Sequence, residues 1–416
     1  MVGGDGRPSG VPRHILHLAG ALKDHVRLSV VSDKDLGGYT ALHGMHVPHI
    51  VVRGLTNRMS PLHLWRGITG LLKVFRETDP DLIWIHSRLQ VLLFRLLLAL
   101  NIWRPTCAVA FTHHGLPYGR GYNPVVHRIC KELERALVAT CPAHNLVFLN
   151  HRMAGWMARD ARASRLARHR VHILANCSDL RPLPSRRKWG IRTLVMTGRT
   201  GRQKDYETAA QLLAEMPENY RLILCGPGTD DPVFQSRISG VVPPETFRRI
   251  TFTGPLPDVR IPLAQADAYL LTSRYEGTPI GALEAFEAGL PIILRNFDGA
   301  TDLTAKHPCS LLVELKDLRR EALRISEMLD HFDRYQHGIS SDIVQVWQDN
   351  WSPDIFAHNA LALVRSMLQP ASVPQARPDF VRGALTLHPD HHKSADVLVP
   401  TQQPYHTDVS PSAGNG

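Results

Sequence analysis

Apolar residues along this chain follow two alternating rhythms. Continuous apolar runs of strand length fall at residues 26–32, 47–52, 81–85, 107–111, 145–149 and 171–174. Between them apolar positions recur every three or four residues, as in a helix: at Ile15, Leu18, Ala19 and Leu22; at Trp65, Leu71, Leu72 and Phe75 within 62–75; and through 89–103 and 124–136. The second half repeats the scheme. Runs at 194–199, 221–225, 250–253, 268–272, 291–294 and 310–313 alternate with helical stretches at 206–213, after Thr278, and on to 346. Such alternation predicts parallel sheets with helices on their faces, whose ligands bind at the carboxyl edges of the strands. At 416 residues the chain is too long for one ordinary core, so two α/β domains are expected. We place them at 1–181 and 191–350, joined by a linker at 178–190 that holds Pro182 and Pro184. An amphipathic helix with Ile355, Leu361, Val364 and Leu368 follows at 351–368, then a proline-rich tail at 369–416 that reads as disordered.

Residues 266–294, ADAYLLTSRYEGTPIGALEAFEAGLPIIL, are the most informative stretch. Strand 268–272 ends in Ser273, Glu276 and Gly277; Thr278 is expected to cap a helix that opens at Pro279, and Gly289 to stop it. This geometry presents backbone N–H groups and a positive dipole end where anions bind. Two carboxylates frame that edge, Glu276 in the loop and Glu284 in the helix. The N-terminus is unusual in that the glycine-rich turn 3–10 precedes a helix almost without the strand that should deliver it. Either the chain extends upstream or this domain is short of one strand.

Charge and cysteine usage narrow the chemistry. Residues 1–181 carry 24 Lys/Arg against 11 Asp/Glu, a net of +13, whereas 182–416 carry 24 against 27, a net of −3. A field of that sign concentrates anionic partners on the first domain, among them acidic lipid. Nucleic acid is not expected, because no recognition module or basic-aromatic interleaving is present. Arg159, Arg162, Arg165, Arg168 and Arg170, mostly three apart, are expected to share one solvated helical face. The six cysteines are scattered with no Cys-x-x-Cys pair and no signal peptide ahead of them, which predicts reduced thiols, a cytoplasmic location, and neither disulfide nor structural zinc. The longest apolar segment, 89–103, is interrupted by Arg95 and falls short of a membrane span. His388, His391 and His392 fall in the tail, where solvation is the commoner fate.

The spacing Glu276-x7-Glu284, with Ala-Phe-Glu-Ala-Gly-Leu-Pro at 285–291, resembles the donor-site signature of GT-B glycosyltransferases of the family 4 type, the glycosyl transferases group 1. The resemblance implies two Rossmann-like domains facing a cleft, and a final helix that crosses back to the first. It implies retaining transfer of a hexose-type sugar from a nucleotide-sugar donor to a glycan or lipid-linked acceptor. Glu284 would hold the ribose hydroxyls and Glu276 the sugar hydroxyls, with Gly277, Thr278, Pro279 and Ile280 lining the donor. Gly198-Arg199 followed by Lys204 matches the family's cations for the diphosphate, although Asp205 stands where a glycine is usual. An Arg fork and a Lys point charge suit that group. Gly10 matches the glycine loop of the first helix, His114 the histidine that faces the donor sugar, and Gly226 and Leu256 the two strand-end turns that reach the donor. Asn176-Cys177-Ser178 stands where the family has Asn-Gly-Val-Asp. No Asp-x-Asp sits at a strand end, so neither metal nor cofactor is expected and the cations carry the charge. Two other readings share the donor site: a sugar-nucleotide epimerase, and a binding-only relative, which the retained Arg199, Lys204, Glu276 and Glu284 argue against. A nicotinamide dehydrogenase, suggested by the early glycines, lacks Gly-x-Gly-x-x-G and its strand.

Overall fold

The computed structural model describes residues 1–118, 123–180, 182–184, 190–256, 258–297 and 299–369. The tail after 369, its three histidines and part of the 178–190 linker lie outside the described residues. In the first half, β3 (Leu82–Ile85), β4 (Ala108–His113), β5 (Asn145–Phe148) and β6 (Arg170–Ile173) form a parallel sheet in sequence order, while β1 (Val30–Ser32) pairs with β2 (His49–Val51). In the second half, β7 (Arg192–Thr197), β8 (Tyr220–Cys225), β9 (Ile250–Gly254), β10 (Ala268–Leu271), β11 (Ile292–Arg295) and β12 (Ser310–Val313) form one parallel sheet in the order β12-β11-β10-β7-β8-β9. Each sheet has its own core. One gathers Ile85, Phe94, Phe111, Leu146 and Phe148, the other Val195, Leu224, Leu270, Leu283 and Ile293. Helices cover both sheets because parallel strands, apolar on both faces, must be buried on both.

The strand expected before the glycine turn is present as a stub. Val2 bridges in parallel to both Val31 and Ile85, and its N–H donates to the Trp84 carbonyl at 2.7 Å. The His86 N–H returns a bond to the Val2 carbonyl at 2.9 Å. One residue therefore joins the β1–β2 pair to the four-stranded sheet and aims the turn at its carboxyl edge. Too few apolar residues take part for periodicity to register them.

The arginine-rich stretch is corrected too. Helix His151–Ala161 ends where Arg162 takes φ 68°, a short turn Ala163–Leu166 follows, and Arg170 already begins β6. The arginines share no single helical face. Of the aromatics in 62–75 and 89–103, Phe75, Phe94 and Trp103 pack on one another with ring centroids 4.9–5.9 Å apart, and Trp65 alone is exposed.

The chain returns to the first half through helix Pro353–Leu368. Pro353 occupies its first turn and the Ser352 hydroxyl accepts from the Ile355 N–H. Its Phe356, Ala360, Val364 and Met367 pack with Leu18 and Leu22 of the first helix (Gly10–Leu22) and with Trp84 and Val147 of the sheet. Among the described residues no helix is long and apolar enough to cross a membrane, and all six cysteines are free.

His307 ties the second core to acid. Its Nδ1 accepts from the Cys309 N–H at 3.0 Å and its Nε2 therefore donates to the Leu290 carbonyl at 3.0 Å, an arrangement of the neutral ring alone. Burial pulls its pKa down to about 3, against the Leu290 carbonyl. The unfolded chain takes up this proton below pH 6.5 and the folded one does not, so stability present above 6.5 drains as pH falls towards 3, by up to about 1.4 kcal/mol per unit. His307→Asn keeps an acceptor near Nδ1 without titrating. Its thermal midpoint should fall less steeply than wild type between pH 7 and 5; parallel slopes would remove His307 from the account.

Candidate functional site

All four residues of β10 are buried, and the chain leaves its carboxyl end through the loop 272–279 before helix Ile280–Glu287. Thr278 is not the cap. Pro279 takes that position with φ −70° and ψ 120°, and the Thr278 hydroxyl instead donates to the Leu149 carbonyl of the first half at 3.3 Å. The helix closes as expected at Gly289, whose N–H bonds the Phe286 carbonyl while Leu290 bonds Ala285, the paired bonds of a Schellman stop.

Two loops meet beside this helix. Thr272 Oγ1 donates to the carbonyls of Lys204 and Asp205 at 3.0 and 2.9 Å, the Arg274 N–H donates to the Gln203 carbonyl, and Gln203 Nε2 returns a bond to the Tyr275 carbonyl. These bonds bring Lys204 Nζ within 2.9 Å of Glu276 Oε1, on which Ser273 Oγ also donates at 2.9 Å. Gly198 makes room for this lysine: it holds φ 145°, and a Cβ there would stand 2.4 Å from Lys204 Cε. Asp205, at φ 57°, occupies a left-handed position that glycine usually fills and aspartate tolerates. Its buried carboxylate is held by Arg274 at 2.8 Å and Arg295 at 2.6 Å. Arg199 is exposed at the end of the same strand and makes no ion pair among the described residues. Gly226 lies against Gly198 in the neighbouring turn. Leu256 is half-buried past β9, and among the described residues no hydrogen bond or ion pair ties it to the other residues.

The first half closes the cleft. Glu284, the fifth residue of its helix and only 2% exposed, meets Arg13 Nη2 of the first helix at 2.5 Å. Burial pushes its pKa up, while Arg13 and then Lys204 pull it back. Gly10 opens that first helix with free space around its Cα. Gly277 touches His114, whose carbonyl would stand 2.4 Å from an added Cβ, so the loop approaches this histidine only as glycine. Asn176 Nδ2 donates to the Thr278 carbonyl at 2.5 Å, and its Oδ1 meets His14 Nδ1 at 2.8 Å. Burial lowers the pKa of His14 to about 4 and those of His86 and His114 well below the usual value, leaving neutral rings.

The structure therefore brings Lys204, Glu276, Gly277, Thr278 and Glu284 to one edge, with His114 facing them. Arg13, His14 and His86 belong to this cleft as well and were not read as site residues in the sequence, and Asn176, read there only as part of a turn, joins them. The signals were there: Arg13 and His14 follow Gly10 by three and four residues, and His86 ends a strand as His114 does.

A family model described as Glycosyltransferase Family 4 matches residues 8–182, and one described as Glycosyl transferases group 1 matches residues 191–331. No curated protein matches the sequence. Among solved structures, HepE of Anabaena in complex with UDP-glucose is 16% identical with a TM-score of 0.67, and sucrose-phosphate synthase of Thermosynechococcus elongatus is 18% identical with a TM-score of 0.73. Both alignments cover 88% of this chain and 98% of the other. WaaG, a glycosyltransferase involved in lipopolysaccharide biosynthesis, is 15% identical with a TM-score of 0.62 over 86% of this chain and 95% of its own. At such identities the likeness is one of fold.

Proposed function

We propose that this chain, which belongs to the GT-B-fold glycosyltransferases of the group 1 and family 4 kind, moves a hexose-type sugar from a nucleotide diphosphate donor to a glycan or lipid-linked acceptor with retention. The observation that carries the reading is the meeting of Lys204 and Glu276 at 2.9 Å, from two motifs 72 residues apart, at the carboxyl edge of one parallel sheet. A cation beside a carboxylate suits the two sides of the bond that breaks. Lys204 and Arg199 meet the diphosphate, where negative charge grows on the leaving oxygen; Glu276 and His114 hold the hydroxyls of the departing sugar; Glu284 takes the ribose. The UDP-glucose in the HepE structure supports a nucleotide-sugar donor. The likeness to WaaG, a glycosyltransferase involved in lipopolysaccharide biosynthesis, supports an envelope acceptor. No divalent ion is assigned to the diphosphate, so added Mg2+ should leave turnover unchanged.

The test is a panel of nucleotide sugars with release of the nucleoside diphosphate as readout, and the anomeric configuration of the product read by NMR. Release with the donor configuration kept supports the reading. Inversion removes the retaining assignment, and interconversion of donor sugars without release makes the chain an epimerase.

We place the enzyme in the cytoplasm, on an anionic membrane face. Met59, just before helix Pro61–Thr78, and Leu62 and Trp65 in its first turns are 70%, 56% and 63% exposed beside Arg58 and Arg66, on the basic half of the chain. Each basic residue near an acidic leaflet contributes about 1 kcal/mol, screened by salt. Flotation with acidic vesicles should exceed that with neutral ones, fall with salt, and weaken in Trp65→Ser. Equal flotation on both lipids would contradict an electrostatic dock, and none at all would point to a soluble acceptor.

A further inference from the structure

We propose that His14, His86 and His114 form a site for one divalent transition-metal ion of the zinc class, in the first half of the chain and separate from the diphosphate. One ring nitrogen from each lies within 4.8 Å of the other two. His14 Nε2, both nitrogens of His86 and His114 Nε2 are buried and make no hydrogen bond among the described residues. Buried polar atoms are rarely left so, and four in one cluster point to a shared partner.

The tautomer of His14 selects the kind of partner. Asn176 Nδ2 donates to the Thr278 carbonyl, which fixes its Oδ1 as the atom facing His14. An amide oxygen only accepts, so His14 Nδ1 carries the hydrogen and Nε2 presents a lone pair to the cluster. An imidazole whose far N–H is held by an oxygen acceptor is the arrangement that orients metal-ligating histidines. Imidazole nitrogen suits zinc and its neighbours rather than Mg2+ or Ca2+. A tetrahedral site with Zn–N of about 2.0–2.1 Å sets ligand nitrogens roughly 3.3 Å apart, so the rings must draw together on binding. His114 is the one member of the three that is partly exposed. The scattered cysteines argued against a thiol-based zinc site; these rings come from the first helix, the end of β3 and the end of β4, and an ion among them would pin His114 where it meets Gly277.

The experiment uses the full chain, stripped with chelator, dialysed and titrated with Zn2+, and in parallel with Co2+, whose visible absorption reports tetrahedral coordination. Wild type should bind one ion more per chain than His86→Ala or His14→Gln, with a tetrahedral Co2+ spectrum and a Zn2+-dependent rise in thermal midpoint that both variants lack. Other histidines contribute equally in every protein. Asn176→Ala keeps all three ligands and should weaken binding about 10- to 100-fold, the usual effect of losing an outer partner. Should His86→Ala fail to fold, His14→Gln and Asn176→Ala still decide. Equal stoichiometry and affinity in wild type and the folded variants would overturn the site, as would no binding by wild type. The readout is bound metal and not turnover, so a failure leaves the proposed transfer reaction standing, while a success would give one His114 ring nitrogen to the ion and leave the assignment of the diphosphate to Lys204 and Arg199 untouched.

Discussion

Lys204→Ala should lower kcat/KM for donor turnover by about 100- to 1000-fold while leaving the fold intact. The lysine lies in a loop at the cleft, 17% exposed, and its charge has one ion-pair partner among the described residues, Glu276. Its removal costs the cation that would meet the leaving diphosphate, and loss of one such positioned group typically costs about 2.7–4 kcal/mol of transition-state stabilisation. Glu276 would also be left with Ser273 alone. Arg199→Ala should act in the same direction, and because Arg199 is exposed without an ion-pair partner its loss disturbs no packing. Lys204→Arg keeps the charge but changes its shape, so partial activity there would separate charge from geometry. Steady-state kinetics with the active donor is the measurement, and full activity in both alanine variants would remove the diphosphate assignment.

Arg95→Ala should destabilise the first half by about 3–5 kcal/mol. Arg95 is fully buried in helix Arg88–Ala99, its Nη1 2.5 Å from Glu134 Oε2 on helix Pro124–Thr140. Burial, the largest single influence, would raise the Glu134 carboxyl; the Arg95 guanidinium, helped by His113 and Arg88, holds the pKa below the ordinary range. Removing the arginine takes away the direct partner of a carboxylate in the core and leaves only the weaker influence of His113 and Arg88 against its desolvation. Replacing both partners, as Arg95→Met with Glu134→Leu, should recover most of the loss, because well-packed apolar groups often match a buried ion pair. Urea unfolding of the three proteins checks this. An unperturbed midpoint in Arg95→Ala would mean that the pair is solvated in solution.

Arg95 also marks the limit of what the sequence discloses. It was legible as a charge that stops 89–103 from spanning a membrane, but its partner lies 39 residues on, and no local pattern couples the two. The strands were legible because buried parallel strands are nearly pure apolar runs, and the pair Glu276 and Glu284 was legible because a strand, a loop and a helix fix its spacing. Val2 was not, since a bridge of one residue leaves no run to read. Arg162 and Asp205 hold left-handed backbone without being glycine, so nothing in their identity announces the broken helix or the tight turn. The meeting of Arg13 with Glu284 depends on how two separately folded sheets face each other, which is settled by the crossover helix and not by either motif.

Residues 199–204 and 276–284 are proposed to hold a nucleotide together. Calorimetric titration of UDP, GDP and ADP into wild type and Glu284→Ala tests it most directly. At least one of the three should bind wild type, and Glu284→Ala, folded by circular dichroism, should bind it at least about tenfold more weakly, the worth of one hydrogen-bonded carboxylate. Equal affinity in the two proteins, or no binding of any of the three nucleotides to folded wild type, would contradict it.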